Sequence, residues 1–211
     1  MAYSADVTTL RAEVQSRTRR FAEFVIAPVA RTGVTPNALT VVGLLLNLVA
    51  GAVLGSGEWL LGGVLVLVAG AFDMFDGALA RVLNQRTDFG AFLDSTLDRY
   101  SEVAVLIGVQ VGFLHSDAVA SYRLAGIALG GAILANSLMI SYARARAEGL
   151  RLDCEVGLFQ RPERVIAVGI ATMLPPAMMM ACLALIAVGT LWTVGQRIRH
   201  VWRLTEPERR P

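Results

Sequence analysis

The chain of 211 residues contains no lysine; all nineteen of its basic residues are arginine. Charge of either sign is sparse at 17% of residues, while 55% are apolar and the mean hydropathy is +0.57. That balance excludes both a disordered chain and an ordinary soluble domain. Two cysteines, Cys154 and Cys182, are too few to staple a secreted module of this length, and neither belongs to a metal or redox motif. Residues 1–16 lack the basic flank and apolar run of a secretory signal and read as a mobile cytosolic start. What the sequence has in plenty is long apolar stretches, which place it in a bilayer.

Residues 17–34 predict an interfacial amphipathic helix, with Phe21, Phe24, Val25, Val29 and Ala30 at helical spacing and Arg17, Arg19, Arg20 and Arg31 around the polar side. Thr35-Pro36-Asn37 then opens a first span over residues 38–55, long enough to cross about 30 Å of hydrocarbon. A second begins at Trp59 and stays helical past Asp73 and Asp76 to about residue 83. The third covers residues 89–114 and the fourth residues 120–147. A fifth starts at Val165, or near Pro162, and is cut short by Pro175-Pro176. The sixth is residues 177–195.

The expected fold class is therefore an all-α polytopic membrane protein, with six transmembrane helices preceded by the amphipathic helix. Residues 17–202 form one membrane domain, with spans over about 36–200, and residues 203–211 a polar tail. An even count returns both termini to one side. Arginines crowd that side, and Arg123 alone stands opposite, so both termini are expected in the cytosol of a cell-membrane protein. Gly51, Gly55, Gly126 and Gly130 sit four apart, which suits close helix packing.

Four carboxylates stand in or beside these spans. Asp73 and Asp76 are i,i+3, and Asp94 and Asp98 are i,i+4, so each pair shares a helix face, and a short loop makes the two helices antiparallel neighbours. An aspartate near the centre of a span costs about 2.5 to 3.5 kcal/mol, so four of them imply a polar cavity, an ion or both. Oxygen-only ligands favour Mg²⁺, Mn²⁺ or Ca²⁺ over zinc, and Mg²⁺ leads. Gly77, Ala80 and Gly90 share the stripes of the aspartates and leave room for a ligand. Arg81, one turn from Gly77, is placed to meet phosphate, and a metal with an arginine around phosphate is the machinery of phosphoryl transfer. Two alternatives remain: aspartates that cap helix ends or pair with Arg81, Arg86 and Arg99, and an acidic site in a cation transporter. Asp88 reads as a solvated charge.

The run from Asp73 to Asp98 has the form D-x2-D-G-x2-A-R-x8-G-x3-D-x3-D. It resembles the signature of the CDP-alcohol phosphotransferases at every fixed position. That resemblance implies a homodimer whose cavity opens to the cytosol. It implies Asp73, Asp76 and Asp94 as ligands of two metal ions, Mg²⁺ or else Mn²⁺, with Asp98 both a ligand and the general base. Gly77, Arg81 and Thr87 would contact the CDP moiety, as would Asn37 and Thr40. Thr40 also has the bland reading of a hydroxyl bonded to its own helix. The substrates implied are a CDP-linked lipid and an alcohol, with no nucleic acid involved.

For the acceptor, S-Y-x-R-A-R-A-E at residues 141–148 and R-P-E-R at 161–164 are similar to the phosphatidylinositol phosphate synthases of prokaryotes, within the same family. The acceptor implied is inositol phosphate, with Arg144, Arg161 and Arg197 as its phosphate clamp. Arg144 replaces a lysine of the actinobacterial pattern, which keeps charge and changes hydrogen-bond geometry. The runner-up is a phosphatidylglycerophosphate or cardiolipin-type synthase. The bland reading of the three arginines is that they set topology.

Overall fold

The structure, a computed structural model, describes residues 24–206. They form seven α-helices and two 3-10 turns, with no strand among the described residues. Helix α1 is Pro36–Gly55, α2 Trp59–Phe72, α3 Met74–Val82, α4 Asp88–His115, α5 Arg123–Gly149, α6 Arg161–Thr172 and α7 Pro176–Thr205.

Local chemistry sets these boundaries. Thr35 caps α1 by accepting the Ala38 N–H at 3.3 Å, and Pro36 fills the first helical position, where no N–H is needed. Thr87 does the same for α4, accepting from Gly90 N–H at 3.0 Å. Pro175 and Pro176 end one helix and begin the next. Between α2 and α3 the helix is interrupted at Asp73, so the second span is a long helix followed by a short one rather than one rod to residue 83. The last helix continues to Thr205, well beyond the expected end near residue 195.

Helix α1 packs along α4 and α2, α5 lies against α4 and α7, and α6 rests on α2. The shared core holds Leu54, Val66, Leu106, Phe113, Ile133, Met179 and Leu183. Contact between α1 and α4 is backbone to backbone: a Cβ at Gly108 would lie 2.2 Å from the Gly51 carbonyl oxygen. The expectation that Gly51 serves close packing is thus met. At the end away from the aspartates, Trp59 stacks on Phe113 at 5.1 Å, and its Nε1 donates to Ser116 Oγ at 3.2 Å.

Four stretches are long and apolar enough to cross a membrane, Pro36–Gly55, Trp59–Val82, Asp117–Gly149 and Pro176–Thr205. Of the six expected, the third and fifth do not qualify by that measure. Helix α4 carries Asp94, Asp98, Arg99 and Glu102 within its first fifteen residues, and α6 has only twelve residues. Residues 17–23 of the expected amphipathic helix lie outside the described residues. The remainder is not one helix: residues 24–26 are helical, a turn follows, and a 3-10 helix spans Val29–Thr32 before Gly33 at φ 79°. Ile26 is buried there, against Leu39, Ala78 and Leu79, whereas Phe24 and Val25 are exposed.

Candidate functional site

Near one end of the bundle, α1, α3 and the start of α4 enclose a cavity of about 290 Å³. Asn37 and Thr40 line it from the first turns of α1; Asp76, Gly77 and Arg81 line it from α3. Thr87, Gly90 and Asp94 close it from α4. Every residue assigned by sequence to the nucleotide therefore faces one space, together with two of the four aspartates. The α4 N-terminus, capped by Thr87, adds the positive end of a long helix to its wall. A Cβ at Gly90 would stand 3.0 Å from Thr87 Oγ1 and 3.3 Å from Asn37 Oδ1, so a side chain here would have to push both back by a few tenths of an ångström.

Asp76 is buried and accepts from its neighbour's amide, Gly77 N–H, and from the Thr40 hydroxyl. Thr40 Oγ1 also lies 3.2 Å from the Pro36 carbonyl, so its one proton chooses between its own helix and the aspartate. The bland reading of Thr40, a hydroxyl bonded to its own helix, is thus met, with Asp76 as the competing acceptor. The carboxyls of Asp76 and Asp94 are within hydrogen-bond distance of each other. Two carboxylates are acceptors only, so that contact demands a proton or a cation between them.

The other two aspartates meet a cation from elsewhere in the chain. Arg161 Nη2 is bonded to Asp73 Oδ2 and lies 2.8 Å from Asp98 Oδ1. Asp73 sits at the break between α2 and α3, with α1 making room for it: a Cβ at Gly43 would come within 2.6 Å of Asp73 Oδ1. Among the described residues, no three acidic, His or Cys side chains surround one point as metal ligands in this conformation. The donor chemistry nevertheless fits a hard divalent ion. All four donors are carboxylates, one pair already needs a positive partner, and the other pair holds a guanidinium in the position of one.

The three acceptor arginines are not gathered on one point. Arg144 pairs with Glu148 at 2.7 Å and Glu155 at 2.6 Å. Arg197 is buried, its Nε donating to the Val156 carbonyl at 3.0 Å and its Nη1 to that of Ile140. Arg161 alone reaches the aspartates. Arg99 donates to the Ser95 carbonyl on its own helix, and Asp88 is exposed in the first turn of α4.

Four residues of this region have no site role in the sequence reading, where Arg86 enters only as an ion-pair alternative and Arg164 only as part of R-P-E-R. Gln85 and Arg86 line the cavity from the α3–α4 loop. Glu102 and Arg164 form a buried pair beneath the aspartates, at 2.7 and 2.9 Å. The available signals were the spacing of Glu102 one turn past Asp98 and of Arg164 one turn past Arg161.

Comparison with known proteins gives the family. A family model described as CDP-alcohol phosphatidyltransferase matches residues 33–199. The archaetidylinositol phosphate synthase of Methanothermobacter thermautotrophicus is 35% identical over 190 residues, covering 88% of this chain and 90% of that protein. The phosphatidylinositol phosphate synthase of Corynebacterium glutamicum is also 35% identical over 190 residues, covering 85% of each. Among solved structures, Mycobacterium tuberculosis phosphatidylinositol phosphate synthase with CDP-DAG bound superposes with a TM-score of 0.78 at 30% identity, over 90% of this chain and 96% of that one. The same enzyme in complex with manganese and citrate gives 0.77 at 31% identity, over 89% and 90%.

Proposed function

Because this chain belongs to the CDP-alcohol phosphatidyltransferase family, we propose that it transfers a phosphatidyl-type group from CDP-diacylglycerol to inositol phosphate, releasing CMP and forming phosphatidylinositol phosphate. The observation that carries this reading is a single acidic wall with two sides. Asp76 and Asp94 face the cavity of Asn37, Thr40, Gly77, Arg81 and Thr87, and Asp73 and Asp98 face Arg161. A nucleotide site and an anion-binding arginine thus share one set of carboxylates.

In this reading the CDP moiety lies between α1, α3 and α4, held close to the backbone at Gly77 and Gly90, with Arg81 meeting phosphate. Asp73, Asp76, Asp94 and Asp98 hold a divalent cation, two Mg²⁺ ions in our assignment, which when bound offsets the charge of the pyrophosphate and of departing CMP. Arg161 brings the acceptor phosphate beside Asp98. Asp98 accepts the acceptor hydroxyl proton as the oxygen forms its bond to the β-phosphorus and the bond from that phosphorus to CMP breaks. Arg144 and Arg197 complete the clamp with N–H groups not spent on Glu148, Glu155 and the two carbonyls; a guanidinium has five.

The same reading carries the membrane arrangement. Both ends of the chain face the cytosol, six spans cross the cell membrane, and the active site opens to the cytosol of a homodimer. The test is CMP release by purified protein given CDP-diacylglycerol and a panel of inositol phosphate, inositol, glycerol 3-phosphate, serine and phosphatidylglycerol. Release is expected with inositol phosphate and only when a divalent cation is present. Asp98→Asn should abolish turnover and keep CDP-lipid binding. Release with glycerol 3-phosphate or phosphatidylglycerol instead would move the acceptor to the runner-up.

A further inference from the structure

We infer that Glu102 and Arg164 are a positioning pair that sets Arg161 over Asp73 and Asp98, and so determines how the acceptor phosphate is held. The inference rests on the reading of Arg161 given above. Arg164 Nε donates to Glu102 Oε1 at 2.7 Å and Nη2 to Glu102 Oε2 at 2.9 Å, a two-pronged contact whose side chains are only 3% and 9% exposed. A third donor, Nη1, reaches the Phe159 carbonyl at 3.1 Å. Phe159 lies two residues before Arg161, so Arg164 grips the chain on both sides of it.

Two buried charges are a poor way to stabilise a helix contact, since their desolvation offsets most of their attraction and apolar side chains would pack as well. What the fork geometry supplies is orientation, because a bidentate guanidinium fixes both the distance and the rotation of its partner. The placement uses that property. Glu102 stands one turn beyond Asp98 on the same face of α4, and Arg164 stands one turn beyond Arg161 on α6. The pair ties α4 to α6 one turn below the point where Arg161 meets Asp98. Without it, α6 is left with its packing on α2 and α7, neither of which fixes rotation as a two-pronged ion pair does, and Arg161 is its first residue.

The test compares E102Q, R164K and the apolar double variant E102L/R164M with the wild type. Apparent KM is measured for inositol phosphate and for CDP-diacylglycerol, inositol phosphate binding is measured by calorimetry, and melting temperature and monodispersity are measured in detergent. E102Q and R164K should raise the KM and Kd for inositol phosphate about tenfold and leave the KM for CDP-diacylglycerol within about twofold. E102L/R164M should melt no lower than the wild type and still bind inositol phosphate weakly. Full recovery of that binding in the apolar double variant, or wild-type constants in E102Q and R164K, would overturn the inference. So would an equal rise in both KM values, which is the mark of a merely structural tie. A wild type inert toward inositol phosphate would sink the acceptor reading instead. The pair is then judged on whichever acceptor releases CMP, where E102Q must reproduce the profile of Arg161→Gln.

Discussion

Arg161 bridges Asp73 and Asp98 where four carboxylates crowd together, so it acts as an internal counter-charge. A divalent ion bound by those carboxylates has to compete with it. Two unit charges about 4 Å apart interact by about 4 kcal/mol at an effective dielectric near 20, before solvent and side-chain motion reduce it. Arg161→Gln should therefore raise divalent affinity at least about tenfold in the absence of lipid nucleotide, as read by Mn²⁺ titration with electron paramagnetic resonance. Unchanged or weaker binding would mean that Arg161 does not oppose the ion. The same substitution should weaken inositol phosphate binding, so the two ligands respond in opposite directions to one residue.

At the scale of elements, the segment between α5 and α6 is held by one stripe of α7. Phe159 N–H donates to Thr193 Oγ1 at 3.0 Å, Leu158 N–H to Gln196 Oε1 at 3.1 Å, and Arg197 and His200 reach the carbonyls of Val156 and Asp153. Residues 193, 196, 197 and 200 share a helix face, so a polar stripe on an otherwise apolar helix satisfies a backbone that has no secondary structure of its own. Thr193→Val keeps the shape and leaves the Phe159 N–H without its acceptor, at about 1 to 3 kcal/mol. It should lower the melting temperature by a few degrees in a detergent melt; an unchanged melt would mean that another acceptor replaces the hydroxyl. This stripe also shows what the sequence conveyed and what it did not. The aspartate pairs, Gly77, Arg81 and Thr87 were legible because the spacing that makes the motif is local to two adjacent helices. Arg161 was legible only as a charge, and its aspartate partner lies 88 residues away in the chain. Glu102 with Arg164, 62 apart, and Gly43 beneath Asp73 depend on how helices cross, which no local period encodes. The role of Arg197 in holding carbonyls was hidden for the same reason.

For the whole molecule, the short α6 and the acidic α4 have one explanation. Asp98 lies about 15 Å along α4 from its start at Asp88, at about 1.5 Å per residue, and Arg161, the first residue of α6, touches it. Helix α6 begins at that depth, and its twelve residues add about 18 Å, which together reach the roughly 30 Å of a hydrocarbon core. On the proposed six-span arrangement the non-helical residues 150–160 would lie at membrane depth, which is tolerated where backbone is bonded to α7 and borders a polar site. The six crossings proposed above would place the site at one face and the 55–59 and 115–117 connections at the other, where Trp59 meets Ser116. In that arrangement Arg123 is the one arginine among the described residues at the second face, which would make it the outer one. A membrane-impermeant maleimide added to intact cells at neutral pH should therefore label Ala118→Cys and not Gln85→Cys. Both positions are exposed, while the two native cysteines are shielded, Cys154 buried and Cys182 half-buried within α7. Labelling of Gln85→Cys from outside would turn the molecule over and put the cavity of Asp76 and Arg81 on the side of the membrane that lacks a nucleotide-linked lipid supply.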